Sequence, residues 1–160
     1  QTPVEEDSFG PNYDKGAVES YKLAKKTYAS VESAIGKVAE TLQSSQITAT
    51  LSMEEGDNPK LNVTGFTSSN LLQLRTVGNA LATAVFTDGV QEVYIGSQKC
   101  DPHNEWGLNN ALSAHLDSPG SLMTAITKNK GTKVTFPVTI VGNDGGKVTY
   151  NVTFDLTKVQ

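Results

Sequence analysis

Residues 16–43, GAVESYKLAKKTYASVESAIGKVAETLQ, decide how the chain is read. Tyr21, Ala24, Tyr28, Val31, Ile35, Val38 and Leu42 recur at alternating intervals of three and four. That spacing puts them on one side of a helix, as a heptad seam sustained over three repeats. Lys22, Lys25, Lys26, Glu32, Lys37 and Glu40 occupy the other sides. Asp14 stands where a carboxylate accepts the orphan N–H groups of a first turn. Gly36 costs the helix about 1 kcal/mol relative to Ala, so it reads as a mark of close packing. The seam has two readings: a core helix lying on a sheet, or a contact with a helix of another molecule.

The rest of the chain supplies a sheet for it. In residues 132–157, Val134, Phe136, Val138 and Ile140 alternate with polar residues, as do Val148, Tyr150, Val152, Phe154 and Leu156. Gly142-Asn143-Asp144-Gly145-Gly146 between the two runs is a turn, so this segment reads as a hairpin. Pro137 has no N–H to give to a ladder, and it predicts that its strand is an edge or is bulged. Residues 46–66 read as another hairpin, with Ile47, Ala49, Leu51 and Met53 on one face and a turn from Glu54 to Pro59. No spaced ligand motif accompanies the acidic residues of that turn, so it carries no calcium assignment.

Residues 69–86 read as a helix striped by Leu71, Leu74, Val77 or Gly78, Leu81 and Val85 and capped by Ser68 or Ser69. A strand at 90–96 follows, and the strand–helix–strand order predicts that it runs parallel to 60–66. Residues 105–116 read as a further helix, broken at Pro119-Gly120, with a short helical piece around Leu122, Met123 and Ile126. The expected fold is therefore α+β: a five-stranded, mostly antiparallel (mixed) sheet built from two hairpins and one crossover strand. A long N-terminal helix and two further helices pack on it. Residues 1–15 are expected to form an extended arm and 16–160 a single domain.

Composition narrows the function. The chain of 160 residues has a net charge of −4, with 12 Lys against the single Arg75. Readers of nucleic acid favour the arginine fork, so no nucleic-acid partner is expected. No apolar run is long enough to span a membrane. The 18 Thr and 13 Ser suit the solvated face of a sheet. The sequence opens on Gln1, which reads as processing, with a signal peptide presumed removed, or as an excised fragment. The expected location is extracellular or at the cell surface. Asn62 and Asn151 head Asn-x-Thr sequons and are possible glycosylation sites in a secretory setting. Cys100 is alone, so no intrachain disulfide forms.

One cluster invites chemistry: Cys100, Asp101, His103, Glu105 and, further on, His115. Cys100, His103 and His115 are candidate metal ligands, one short of the four that a structural zinc site takes. Cys100 and His103 also have the residue types of a nucleophile and its base, but no flanking signature accompanies them. No P-loop, Gly-x-Ser-x-Gly or His-Glu-x-x-His occurs. Trp106, Tyr94 and Phe66 are candidates to line a pocket, with core packing as the simpler assignment. No catalytic residue, cofactor or metal is assigned.

The expected function is a non-catalytic structural or assembly subunit of an extracellular surface, filament or virion. Its partner would be another copy or another surface protein. Pro3, Val4 and Phe9 in the arm, and Pro137 on the expected strand edge, are the candidate assembly residues. The alternative is a secreted monomeric ligand-binding or adhesion module using the 97–107 loop.

Overall fold

A computed structural model describes residues 15–101, 107–118 and 121–160. Helix α1 spans Lys15–Ser44, and strands β1 (Thr50–Glu54) and β2 (Lys60–Thr64) follow. A 3-10 turn at Leu71–Gln73 leads into α2 (Leu74–Val85). Then come β3 (Val90–Ile95), the two-residue β4 (Gln98–Lys99), α3 (Gly107–His115) and α4 (Leu122–Lys128). Strands β5 (Lys133–Gly142) and β6 (Lys147–Asp155) complete the order. The fold is α+β, as the patterning predicts. Among the described residues the sheet has six strands in the order β1-β2-β6-β5-β3-β4, and three helices follow α1. The expected five strands and two further helices are thus one short in each case. The sixth strand is β4, whose two residues are too few to show alternation.

Hairpin β5–β6 is the middle of the sheet. It pairs antiparallel from Lys133↔Asp155 to Val141↔Lys147, while β2 joins β6 in parallel and β3 joins β5 antiparallel. It follows that β2 and β3 do run the same way, as the crossover predicts. They are not neighbours, because the β5–β6 hairpin lies between them.

Pro137 is therefore not on an edge strand, which corrects the first of the two expected alternatives. On the second, the ladder between β5 and β3 does carry a register shift, between Val90 and Glu92. Pro137 pairs with Asn151 of β6, and its carbonyl accepts from the Gly96 N–H at 3.1 Å on the β3 side. In an antiparallel strand a residue's N–H and C=O point to the same neighbour. The missing N–H therefore faces Gly96, just beyond the end of β3, and no ladder bond to β6 is lost.

Alternation works as predicted on the core face. Val134, Phe136, Val138 and Ile140 of β5 are buried, as are Val148, Tyr150, Val152 and Phe154 of β6. Phe136 and Phe154 meet edge to face with ring centroids 5.2 Å apart. Val31 of α1, Leu81 of α2 and Leu108 of α3 meet Phe136 and Val152 around one small void, which places all three helices on this side. The opposite face is polar and bears no helix among the described residues. Thr135 pairs with Thr153 there (2.9 Å) and Thr139 with Thr149 (3.1 Å).

Helix α1 is tied to the hairpin at two levels. Buried Thr27 hydrogen-bonds the Tyr150 hydroxyl at 2.9 Å, and Ser20 Oγ accepts from the Lys147 N–H at 2.9 Å. A Cβ on Gly146 would lie 2.6 Å from the Glu19 carbonyl oxygen, so only glycine lets the helix sit this close to the turn. Asp14, the expected cap, lies outside the described residues.

Close packing falls at Gly78 and not at Gly36. Nothing lies within 4 Å of where a Gly36 Cβ would stand, whereas one on Gly78 would fall 2.0 Å from Asn109 Oδ1. Asn109 of α3 is buried and donates through Nδ2 to Asn79 Oδ1 at 2.7 Å. The expected serine cap of α2 is absent as well: Ser68 binds the Gln160 backbone, while Asn70 Oδ1 accepts from the Thr67 N–H.

These environments predict opposite outcomes for one chemical change. Gly36→Ala should stabilise the protein by about 1 kcal/mol through helix propensity. Gly78→Ala should destabilise it by roughly 1–3 kcal/mol through overpacking against Asn109. Urea midpoints at constant slope measure both.

Candidate functional site

Two surface features stand out, and both lie near the end of the sheet where β1 turns into β2. The first is the outer edge of β1, which no strand among the described residues pairs. The sheet ends on β4 at one side and on β1 at the other. Strand β4 has two residues, and its Lys99 is held by Glu92 at 3.1 Å, with the Tyr94 hydroxyl donating to the same Glu92 oxygen at 3.0 Å. The Lys99 hydrogen bond, with the Tyr94 bond second, holds the Glu92 carboxyl below its usual range. A short edge carrying lysine is a poor template for another strand. Strand β1 has five residues, Thr-Leu-Ser-Met-Glu, with neither proline nor lysine and an unbroken register to β2. One row of its backbone groups has no strand partner among the described residues.

The second feature is an open groove of about 520 Å3 beside the first turns of α1. Ala17, Tyr21, Ala24 and Tyr28 form one wall; Glu55, Pro59 and Val148 stand opposite. These four helical residues continue the predicted seam. Its downstream members Val31, Ile35, Val38 and Leu42 are buried in the core between α1, α2 and the sheet, but Tyr21, Ala24 and Tyr28 are only half-buried. At this end Leu23 and Thr27 turn inward instead. The stripe is thus longer than the core it serves, and its surplus lines the groove. Lys25 spans the groove to Glu55 at 3.2 Å and sits over the Tyr21 ring at 5.5 Å. The Glu55 hydrogen bond raises the Lys25 pKa, and desolvation raises that of Tyr28. The acidic turn is therefore engaged by Lys25 through Glu55.

The Cys100 region does not form a site among the described residues. Cys100 is buried in the core, its N–H bonded to the Val93 carbonyl at 2.8 Å, and burial pushes its thiol up to about 12. A thiol at that value is a poor nucleophile. His115 ends α3 and packs its ring against Gly96, where a Cβ would lie 2.5 Å from Nδ1. No group of three or more His, Cys, Asp or Glu residues with metal-site geometry occurs among the described residues. His103, Glu105 and Trp106 lie outside the described residues, as do Pro3, Val4 and Phe9. Phe66 is buried in the core, whereas Tyr94 alternates with buried Val93 and Ile95 and lies on the polar face, so the two do not line one pocket.

Asn62 and Asn151 both lie half-exposed on the polar face, on adjacent strands in the register Lys60↔Asn151 and Asn62↔Thr153. No helix among the described residues is long and apolar enough to cross a membrane. In comparisons with known proteins, no family model, curated protein or solved structure matches the chain.

Cys100 and Tyr150 make stability pH-dependent. Burial raises the first from 9.0 and the second from 10.0, each to about 12. Both are neutral when protonated, so the folded state binds more protons than the unfolded state between those values. Stability is complete below pH about 9 and falls as pH rises towards 12. Thermal melts from pH 8 to 11 should show this decline, and Cys100→Ala with Tyr150→Phe should flatten it. Aromatic disulfide reagents at about pH 8 should label Cys100 only on unfolding.

Proposed function

We propose that this protein is a non-catalytic structural or assembly subunit of an extracellular surface, filament or virion. The observation that carries this reading is the unprotected edge of β1, set against the guarded edge of β4. A strand from another molecule completes the β1 ladder through main-chain hydrogen bonds, which need no particular side chains. Leu51 and Met53, half-buried at the sheet margin, gain an apolar neighbour in the same step. The assembly edge is β1 and not the strand of Pro137. The polar face carries Thr, Asn and Lys and suits contact with water on the outside of an assembly.

Placing lysines on the edge tests this. Thr50 and Ser52 are exposed and belong to the polar side of β1, so Thr50→Lys with Ser52→Lys leaves the core intact. Light scattering at micromolar concentration should show higher-mass species for the natural sequence and monomer for the double variant, with unchanged thermal melts. Equal masses for the two proteins would overturn the edge as the contact. A monomeric natural sequence would favour the second reading, a secreted ligand-binding or adhesion module, for which the groove beside Tyr21 and Tyr28 is the supporting observation.

A further inference from the structure

We infer that the strand completing the β1 ladder is β1 of a second copy, running antiparallel about a two-fold axis at Ser52. This rests on the assembly reading and names the partner, register and symmetry of that same edge.

The next strand in shows which backbone groups of β1 point outward. The Asn151 N–H donates to the Pro59 carbonyl at 2.9 Å, where Lys60 faces Asn151 in the parallel ladder. In an extended strand a residue's N–H and C=O share one side, and that side alternates along the chain. Leu61 and Val63 therefore follow Pro59 in addressing β6, while Lys60, Asn62 and Thr64 address β1. Their partners there are Glu54, Ser52 and Thr50. The N–H and C=O groups of Leu51 and Met53 are thus the ones that point away from β2, and no strand among the described residues takes them.

Two antiparallel strands bond only where outward residues oppose outward residues. With the axis at Ser52, Leu51 of each copy faces Met53 of the other, and no outward group of β1 is left over. An axis at Leu51 or at Met53 instead sets one outward residue against a position beyond the end of the strand. The side chains agree with the same register. Leu51 and Met53 pack against the margin of the core, so apolar meets apolar on the helix side of the joined sheet. On the polar side Glu54 of each copy meets Thr50 of the other, whose hydroxyl can donate to the carboxylate. Within its own copy Glu54 already faces Lys60. A parallel neighbour in register puts Glu54 on Glu54, like charges directly opposed. Charge and apolarity thus both select the antiparallel second copy. A two-fold contact is self-complementary and closes on itself. This edge therefore makes a dimer with one continuous sheet, and any larger assembly grows from other surfaces.

Cysteine pairing in the full chain tests the register. Ser52 and its mate form a non-hydrogen-bonded pair with Cα atoms about 4.5 Å apart, within the roughly 4.4–6.8 Å that a disulfide spans. Thr50 and its mate stand roughly 14 Å apart. Thr50, Ser52 and Glu54 are all exposed, so cysteine at each leaves the core intact. With oxidised glutathione, Ser52→Cys should give a disulfide-linked dimer on a denaturing gel. Thr50→Cys alone and Glu54→Cys alone should give none, and a mixture of the two should give the mixed dimer. The natural chain, with Cys100 buried, is the blank. Dimer from all three single variants would mean a parallel neighbour and would overturn the inference. So would dimer from Thr50→Cys or Glu54→Cys without Ser52→Cys, or a missing mixed dimer, since each means another register. Linkage in none of them while light scattering still shows higher-mass species would overturn it and leave the assembly reading standing. A natural sequence that stays monomeric at micromolar concentration would defeat the assembly reading itself.

Discussion

The pairing of β5 with β6 is the interaction on which everything else is built. Each of these strands offers one face to the helices and one edge to a further strand. β6 receives β2 in parallel, and β5 receives β3 antiparallel. The same hairpin holds α1, through Thr27 on Tyr150 and through the approach of Glu19 and Ser20 to Gly146 and Lys147. The helix position then determines the surface, because α1 crosses the sheet at a level where its seam outruns the core. The groove is what remains of an apolar stripe after the sheet has covered as much of it as it reaches.

Much of this was legible in the residues. The alternation of Val134 to Ile140 and Val148 to Phe154 identified the buried face correctly, because a strand's period is fixed at two and a polar face is plainly marked by Thr. The long helix was legible for the same kind of reason. Neighbour relations were not. Pro137 looked like an edge residue because its own strand carries no sign that β3 stops at Ile95, just short of the missing N–H. Gly36 and Gly78 look alike in helical sequence, and only the arrival of Asn109, thirty-one residues later, separates them. Strand β4 is set by the turn at Gly96, whose φ of +57° is a tertiary fact.

The candidate site was less legible still. Residue types drew attention to Cys100 and the histidines, since thiol and imidazole are chemically versatile wherever they occur. What decides their role is environment, and Cys100 faces the core. The two features that carry the functional reading are defined by what the other described residues leave uncovered, and a single sequence does not record what leaves a surface bare. A signal did exist for the groove: Tyr at positions 21 and 28 of a seam otherwise made of aliphatic residues. Tyrosine has an apolar body and a polar tip, and it suits a place that is neither core nor open water.

The central position of β6 has a consequence for how the molecule comes into being. Its residues, 147–155, are the last strand in sequence, yet they lie between β2 and β5. During synthesis β1 and β2 therefore wait as an isolated hairpin, with the β6-facing edge of β2 unoccupied for more than eighty residues. β3 waits in the same way for β5. The sheet cannot close until the final hairpin leaves the ribosome, and it then closes on both sides through contacts of long sequence separation. Such contacts pay their loop entropy before they gain any burial, which makes folding slow and leaves sticky edges exposed meanwhile. A chain of this topology places its greatest risk of premature association at the moment of its birth.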